Sequence, residues 1–439
     1  MDMKLWDKGF DTDRRIERFT VGNDAVLDLR IAPYDIEGTV AHIRMLTKVG
    51  LLAQSELEKL LPELEKLYAR AVSGEFVIED GVEDVHSQVE KCLTDALGDL
   101  GKKIHTGRSR NDQIMVDMRL FARDRTGKTA RKVKALFDAL QSASERYKNI
   151  LMPGYTHLQV AMPSSFGLWL GAYAESLSDD MVVLGAAARY VNRNPLGSAA
   201  GYGSSAPLDR RMTAELLGFE DLEYNSICAQ LGRGKSEKIV AQGVAAVAET
   251  LGRFAADCCL FNSQNFGFIK LPDELTTGSS IMPHKKNPDV FELIRAHCNR
   301  LVSVPEAISH ITTNLPSGYF RDMQLVKEIF VPLFDEIDDC LDIALFAVEN
   351  LKVTEGLMDN PLYKTAFSVE EVNRRVGQGV PFRDAYKQVG AEILEGSFEF
   401  SGELHHTHEG SIGNLCTEEV RKKMDKALAD FPSVKPIKF

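Results

Sequence analysis

The sequence predicts an all-α protein organised around a bundle of long helices, and two observations carry that expectation. From Ser236 to Phe261 the apolar positions Val240, Val244, Val247, Leu251, Phe254, Cys258 and Phe261 recur by fours and threes, the seam of a helix packed against neighbours. Comparable runs cover residues 165–192, 288–312 and 322–351. Alternating apolar and polar residues, the mark of a half-buried strand, are nearly missing, and what exists is short, such as Glu-Phe-Val-Ile at 75–78.

A chain of 439 residues exceeds what one core normally serves, so more than one domain is expected. Residues 1–112 carry short helical patterns and end in the hinge-like stretch KKIHTGRSRNDQ at 102–113. Residues 113–356 hold the long helices, of which 236–261 would extend roughly 40 Å at about 1.5 Å per residue. Pro316-Ser317-Gly318 separates the last two of them. The bundle is expected to end near MDNPLY at 358–363, leaving 357–439 as a small C-terminal helical domain, and no internal repeat is evident.

Composition narrows the function. A hydrophobic fraction of 44% with 26% charged residues is that of an ordinary globular protein, with no low-complexity tract. The N-terminal MDMKLWDKGFDTDRRIERF lacks an apolar leader core, and no apolar run approaches the roughly 20 residues of a membrane span, so a cytoplasmic protein is expected. Seven cysteines, an odd number without a Cys-x-x-Cys pair, point to reduced thiols packed as small hydrophobes and to no metal site. A formal charge of −12 argues against nucleic-acid binding.

Three polar clusters interrupt the helical pattern. In HTGRSRND at 105–112, Ser109, Asn111 or Asp112 would each serve as a helix N-cap, while Arg108 and Arg110 bracketing a serine suit carboxylate binding. PGYTHLQVAMP at 153–163 sets His157 between two prolines, at the expected entrance to a helix, and an imidazole suits proton transfer near neutral pH. TGSSIMPHKKNPD at 277–289 joins a flexible Gly-Ser-Ser loop to two lysines and Asn287, groups that can close over an anionic substrate and neutralise its carboxylates. No histidine and acid accompany those serines locally, and the spacing is not that of a phosphate-binding loop.

GSSIMPHKKNP resembles the signature of the fumarase/aspartase superfamily, whose members eliminate fumarate from succinyl compounds. With HTGRSRNDQ, PGYTHLQVAMP and GVPFRDAYKQVG at 379–390, all in the family's order, the chain resembles the argininosuccinate lyase family, which includes the enzymes recruited as δ-crystallins. The resemblance implies a three-domain fold whose central long-helix bundle forms a tetrameric helical core, with each active site drawing on three chains. It implies β-elimination of argininosuccinate to arginine and fumarate in arginine biosynthesis, without metal or organic cofactor. By the same resemblance Ser279 is the base, with Ser280 the less favoured choice. Lys285 and Asn287 stabilise the charge that builds on the carboxylate, and His157 with Glu292 handles the proton given to the leaving nitrogen. Ser109, Arg110, Asn111, Thr156, Tyr319, Gln324 and Lys327 fall on substrate-binding positions.

Three departures are visible. Asp24 stands where the family usually has a serine four residues before an aspartate, here Asp28; Phe320 replaces an asparagine; and 225–238 lacks the usual acidic pattern. They bear on the amino-acid end of the substrate and leave open a modified argininosuccinate. Other readings are a related fumarate-releasing enzyme such as adenylosuccinate lyase, whose pattern lacks HTGRSRNDQ and GVPFR, or a crystallin-like structural protein, against which His157, Ser279 and Lys285 argue.

Overall fold

The computed structural model describes residues 14–433 and 437–439; the start of the N-terminal segment lacking an apolar leader core lies outside them. Helices α1 (Arg14–Val21), α2 (Asp24–Lys48), α3 (Gln54–Ser73), α4 (Val85–Leu97) and the short α5 (Asp99–Lys102) open the chain. Residues 75–78 do not form the expected strand: after Gly74 closes α3 in a left-handed conformation, Phe76 turns into the core.

α6 (Arg110–Tyr147) is the longest helix among the described residues, and it starts inside the stretch read as a hinge. Its apolar rows are broken by Arg123, Asp124, Arg125 and Lys128, which hid it from a periodicity argument. The cap was legible: the Ser109 hydroxyl accepts the Asn111 amide at 3.2 Å, and the Ser109 amide donates to the Asp112 carboxylate at 2.8 Å.

An antiparallel hairpin, β1 (Leu151–Thr156) and β2 (Gln159–Ser165), then precedes α7 (Phe166–Val191). This corrects the reading of 153–163 as a helix entrance. Pro153 and Pro163 face each other across the ribbon, a two-stranded setting in which each strand keeps an open edge and proline is tolerated. Next come β3 (Arg193–Asn194), α8 (Arg210–Leu216), β4 (Asp221–Leu222), α9 (Ser226–Leu231) and α10 (Lys235–Phe261). They are followed by β5 (Ile269–Lys270), β6 (Thr277–Gly278), β7 (Lys286–Asn287), α11 (Asp289–Thr312), α12 (Asp322–Asn350), β8 (Lys352–Val353), α13 (Ser368–Gly377), α14 (Phe382–Glu395) and α15 (Thr417–Ala429).

Helices α6, α7, α10, α11 and α12 pack into the expected bundle. Phe121, Phe330 and Phe334 meet edge to face within it, and Trp169 stacks on Phe254 while its indole N–H donates to Asp257 at 3.0 Å. Each fully buried phenylalanine of this kind contributes about 1.5–3 kcal/mol of transfer free energy. At Gly167 an added Cβ would stand 2.5 Å from the Lys148 Cα, so the glycine lets α7 begin against the end of α6. Val372, Ala385, Val389 and Phe398 form a separate small core near the C-terminus. Cys258, Cys298 and Cys340 are buried as expected, but Cys228 is exposed on α9. Among the described residues no helix is long and apolar enough to cross a membrane.

Candidate active site

The starts of α2, α4, α6 and α12 converge on a cavity of about 180 Å³. α6 brings Arg110 and Asn111 to it, α12 brings Gln324 and Lys327, and the loop before α12 brings Tyr319. Five residues expected to bind substrate, from distant parts of the chain, thus line one space. Ser109 stands beside them as the α6 cap.

Charge in the cavity is paired. The buried Lys327 ammonium lies 2.7 Å from an oxygen of Asp24 and donates to Asp28 at 2.7 Å. Burial pulls the Lys327 pKa down, but Asp28 and Asp24 outweigh it and leave it raised. For Asp24 burial dominates and raises the pKa against the pull of Lys327. Arg110 pairs with Glu83 at 3.0 Å and Asp84 at 3.1 Å and donates to the Ser87 hydroxyl at 2.6 Å, while Arg321 reaches Glu83 at 2.7 Å. The Gln324 amide is spent on the end of α1, donating to the Thr20 and Val21 carbonyls at 3.0 and 2.8 Å.

The departing stretch 225–238 contributes to this site as well. Asn225 caps α9 through the Ile227 and Cys228 amides, and Arg233 lines the cavity with its guanidinium 5.0 Å from the Tyr319 ring centre. Arg108, expected beside Arg110, instead faces inward: it is buried, none of its guanidinium nitrogens is hydrogen-bonded among the described residues, and burial lowers its pKa despite Asp35, Asp112 and Asp117 nearby. Sequence reasoning missed Glu83, Asp84 and His86 as cavity residues. The signal was present in VEDVHS, an acidic pair capping a helix with a histidine in its first turn.

The remaining expected residues lie elsewhere. Thr156 ends β1, and His157 with Leu158 forms the two-residue turn to Gln159. Both turn residues have positive φ, 54° and 57°, a conformation the turn geometry demands and side chains with a Cβ resist, and both are exposed. Ser279 and Lys285 sit in the loop between β6 and β7, which pair antiparallel through Thr277 opposite Asn287. The Ser279 hydroxyl oxygen accepts the Met282 amide at 3.1 Å, and Lys285 has no ion-pair partner among the described residues. Glu292 is exposed in the first turn of α11. Among the described residues none of Thr156, His157, Ser279, Lys285, Asn287 and Glu292 lines the cavity.

Comparison with known proteins adds context. A family model described as lyase matches residues 9–303. The argininosuccinate lyase of Bacteroides fragilis is 59% identical over 431 residues, 98% of this chain and 96% of that protein. The argininosuccinate lyase of Thermotoga neapolitana is 39% identical over 389 residues, 89% and 98% of the two chains. EDDS lyase in complex with formate superimposes with a TM-score of 0.74 at 23% identity, over 94% of this chain and 89% of that one. Class II fumarase from Schistosoma mansoni does so with a TM-score of 0.71 at 16% identity, over 95% and 93%. These two structures establish a shared helical fold.

Proposed function

Because the chain belongs to the argininosuccinate lyase family, we propose that it cleaves argininosuccinate to arginine and fumarate by β-elimination. The observation that carries this reading is the convergence of Arg110, Asn111, Tyr319, Gln324 and Lys327 on one charged cavity. Breaking a C–N bond β to a carboxylate requires loss of a weakly acidic proton from the carbon between, and negative charge then builds onto that carboxylate. Lys285 and Asn287 receive that charge. Ser279 takes the proton; the amide donated to its oxygen by Met282 favours the anionic form a serine base needs. His157, oriented by Glu292, serves the proton given to the departing guanidinium nitrogen.

Asp24 and Asp28 both face Lys327 at one end of the cavity, with Arg233 a further cation acting on Asp24. A free α-ammonium suits this pair of carboxylates and an acylated nitrogen does not, which favours unmodified argininosuccinate as the substrate, with Asp24 in the place of a neutral contact.

The residues assigned to proton transfer lie outside this cavity in one chain, on an exposed hairpin tip and an exposed loop. A cytoplasmic homotetramer whose sites are completed between subunits accommodates both facts, with residues 1–112, 113–356 and 357–439 as its three domains. The test is to follow fumarate absorbance on adding argininosuccinate. Absence of fumarate release by well-folded protein would reject the activity.

A further inference from the structure

We infer that His86, oriented by Asp35, is a further binding residue of the cavity, presenting an N–H to a carboxylate of the substrate. The inference rests on the lyase reading for the identity of the ligand and on geometry for the residue. His86 lies in the first turn of α4 and lines the cavity, and it is 7% exposed. Its one hydrogen bond among the described residues places Nδ1 2.7 Å from Asp35 Oδ1, so Nδ1 is the donor to that carboxylate and Nε2 is the nitrogen left for the cavity. Asp35 is fully buried and accepts the Gln113 amide at 3.1 Å on the same oxygen, which fixes the ring it holds.

The surroundings keep that ring charged. Asp35 faces it from α2, Asp117 from α6 at 3.7 Å, and Asp84 from the cap of α4, while His105 faces it from the segment before α6. Burial alone would discharge the ring; the three acids outweigh burial and hold its pKa up at about 9. Among the described residues neither oxygen of Asp117 is hydrogen-bonded, and burial together with Asp35 pushes its pKa well up. An imidazolium balanced by one carboxylate on Nδ1 keeps an N–H on Nε2, and the start of α4 adds a favourable dipole for an incoming anion. Once neutral, with its proton on Nδ1, the ring would turn a lone pair toward the same anion. Binding should therefore hold below the raised pKa and weaken as pH rises through it.

The experiment combines fumarate-release kinetics at pH 7.5–10 with calorimetric titration of fumarate and of arginine, separately, for wild-type protein, His86→Gln and Asp35→Asn. For His86→Gln the expectation is a KM for argininosuccinate raised about 10- to 100-fold with kcat nearly kept, and a matching loss of affinity for one of the two products. Wild-type KM should rise as pH passes about 9, an inflection absent from His86→Gln and moved lower in Asp35→Asn. A wild-type KM that stays flat to pH 10 overturns the inference even should a variant fail to fold. So do unchanged KM and unchanged affinity for both products in folded His86→Gln. Wild-type protein that binds the products yet releases no fumarate would reject the lyase reading instead, and the titrations would still decide the role of His86.

Discussion

Asp24 holds a carboxylate oxygen 2.7 Å from the buried ammonium of Lys327, joining the first turn of α2 to the first turns of α12. Asp28 already engages the same ammonium, so Asp24 brings a second carboxylate to this end of the cavity, where Arg233 also acts on it. Asp24→Asn removes that charge and keeps the shape. The expectation is a KM for argininosuccinate raised about tenfold with kcat within a few-fold, because the lost contact acts on bound substrate and transition state alike. Selectivity against an N-acylated argininosuccinate should narrow in the same variant. A KM that stays the same or falls would mean that Asp24 makes no favourable contact with the α-ammonium.

Ser279→Ala removes the proposed base and one acceptor for the Met282 amide in an exposed loop, so the fold should be kept. Turnover should drop by several orders of magnitude with substrate binding largely retained, as measured by fumarate release and by titration of substrate onto the inactive protein. Turnover within about tenfold of wild type would exclude Ser279 as base and turn attention to Ser280 or His157.

The bundle was legible because its seams are long. Seven apolar positions in phase over 236–261 leave few alternatives, and the helix observed there is α10. The hairpin at 151–165 was not, since two prolines and a histidine carry no alternating pattern, and a turn with positive φ at His157 and Leu158 uses residues that give no turn signal. The same limit applied to the cavity. Family motifs pointed to Arg110, Asn111, Tyr319, Gln324 and Lys327, whereas VEDVHS marked only a capped helix start, and its place in the cavity follows from α4 packing on α2 and α3 with its start beside those of α6 and α12. Arg110 is the first residue of α6 and reaches the cavity, whereas Arg108 precedes the Ser109 cap and is buried, a distinction that the spacing of the two arginines does not draw.

Lys285→Met tests where charge develops. The ammonium has no competing ion pair among the described residues, so it is free to respond to the carboxylate as electrons move onto it. The variant should lose kcat by more than it weakens substrate binding, because the partner charge grows only in the transition state. A raised KM at unchanged kcat would make Lys285 a binding residue and overturn the assignment.

Gly167→Ala probes how the hairpin is anchored. The new methyl would stand 2.5 Å from the Lys148 Cα and 2.6 Å from the Ser144 carbonyl oxygen, backbone atoms that can yield only by moving α7 away from α6. That shift also strains the bond from the Ser144 hydroxyl to the Gly167 carbonyl, 2.6 Å long. A loss of about 1–3 kcal/mol is expected, read as a lower denaturation midpoint. Gly171→Ala is the control: its methyl would meet only the Ser144 side chain, at 3.1 Å, and should cost clearly less. Equal midpoints for the two variants would show that the α6–α7 crossing is not set by Gly167.

The last expectation follows from where the chemistry sits. His157 occupies the tip of an exposed hairpin with the exposed Leu158 beside it, Ser279 lies in an exposed loop, and the cavity is lined by neither. A helix such as α10, 27 residues or about 40 Å long, holds the ends of a bundle apart. Tetramer formation around such helices would bring the hairpin of one chain to the loop of another and the cavity of a third, covering the exposed apolar tip as it does so. Two inactive variants should then rescue each other. A His157→Asn chain can supply Ser279, and a Ser279→Ala chain can supply His157. Mixed in equal amounts, unfolded and refolded together, they should regain about one quarter of wild-type sites, the product of two independent halves. Each variant refolded alone gives the baseline. Failure to recover activity, with tetramers verified by light scattering, would place His157 and Ser279 of a working site on one chain and would end the shared-site reading.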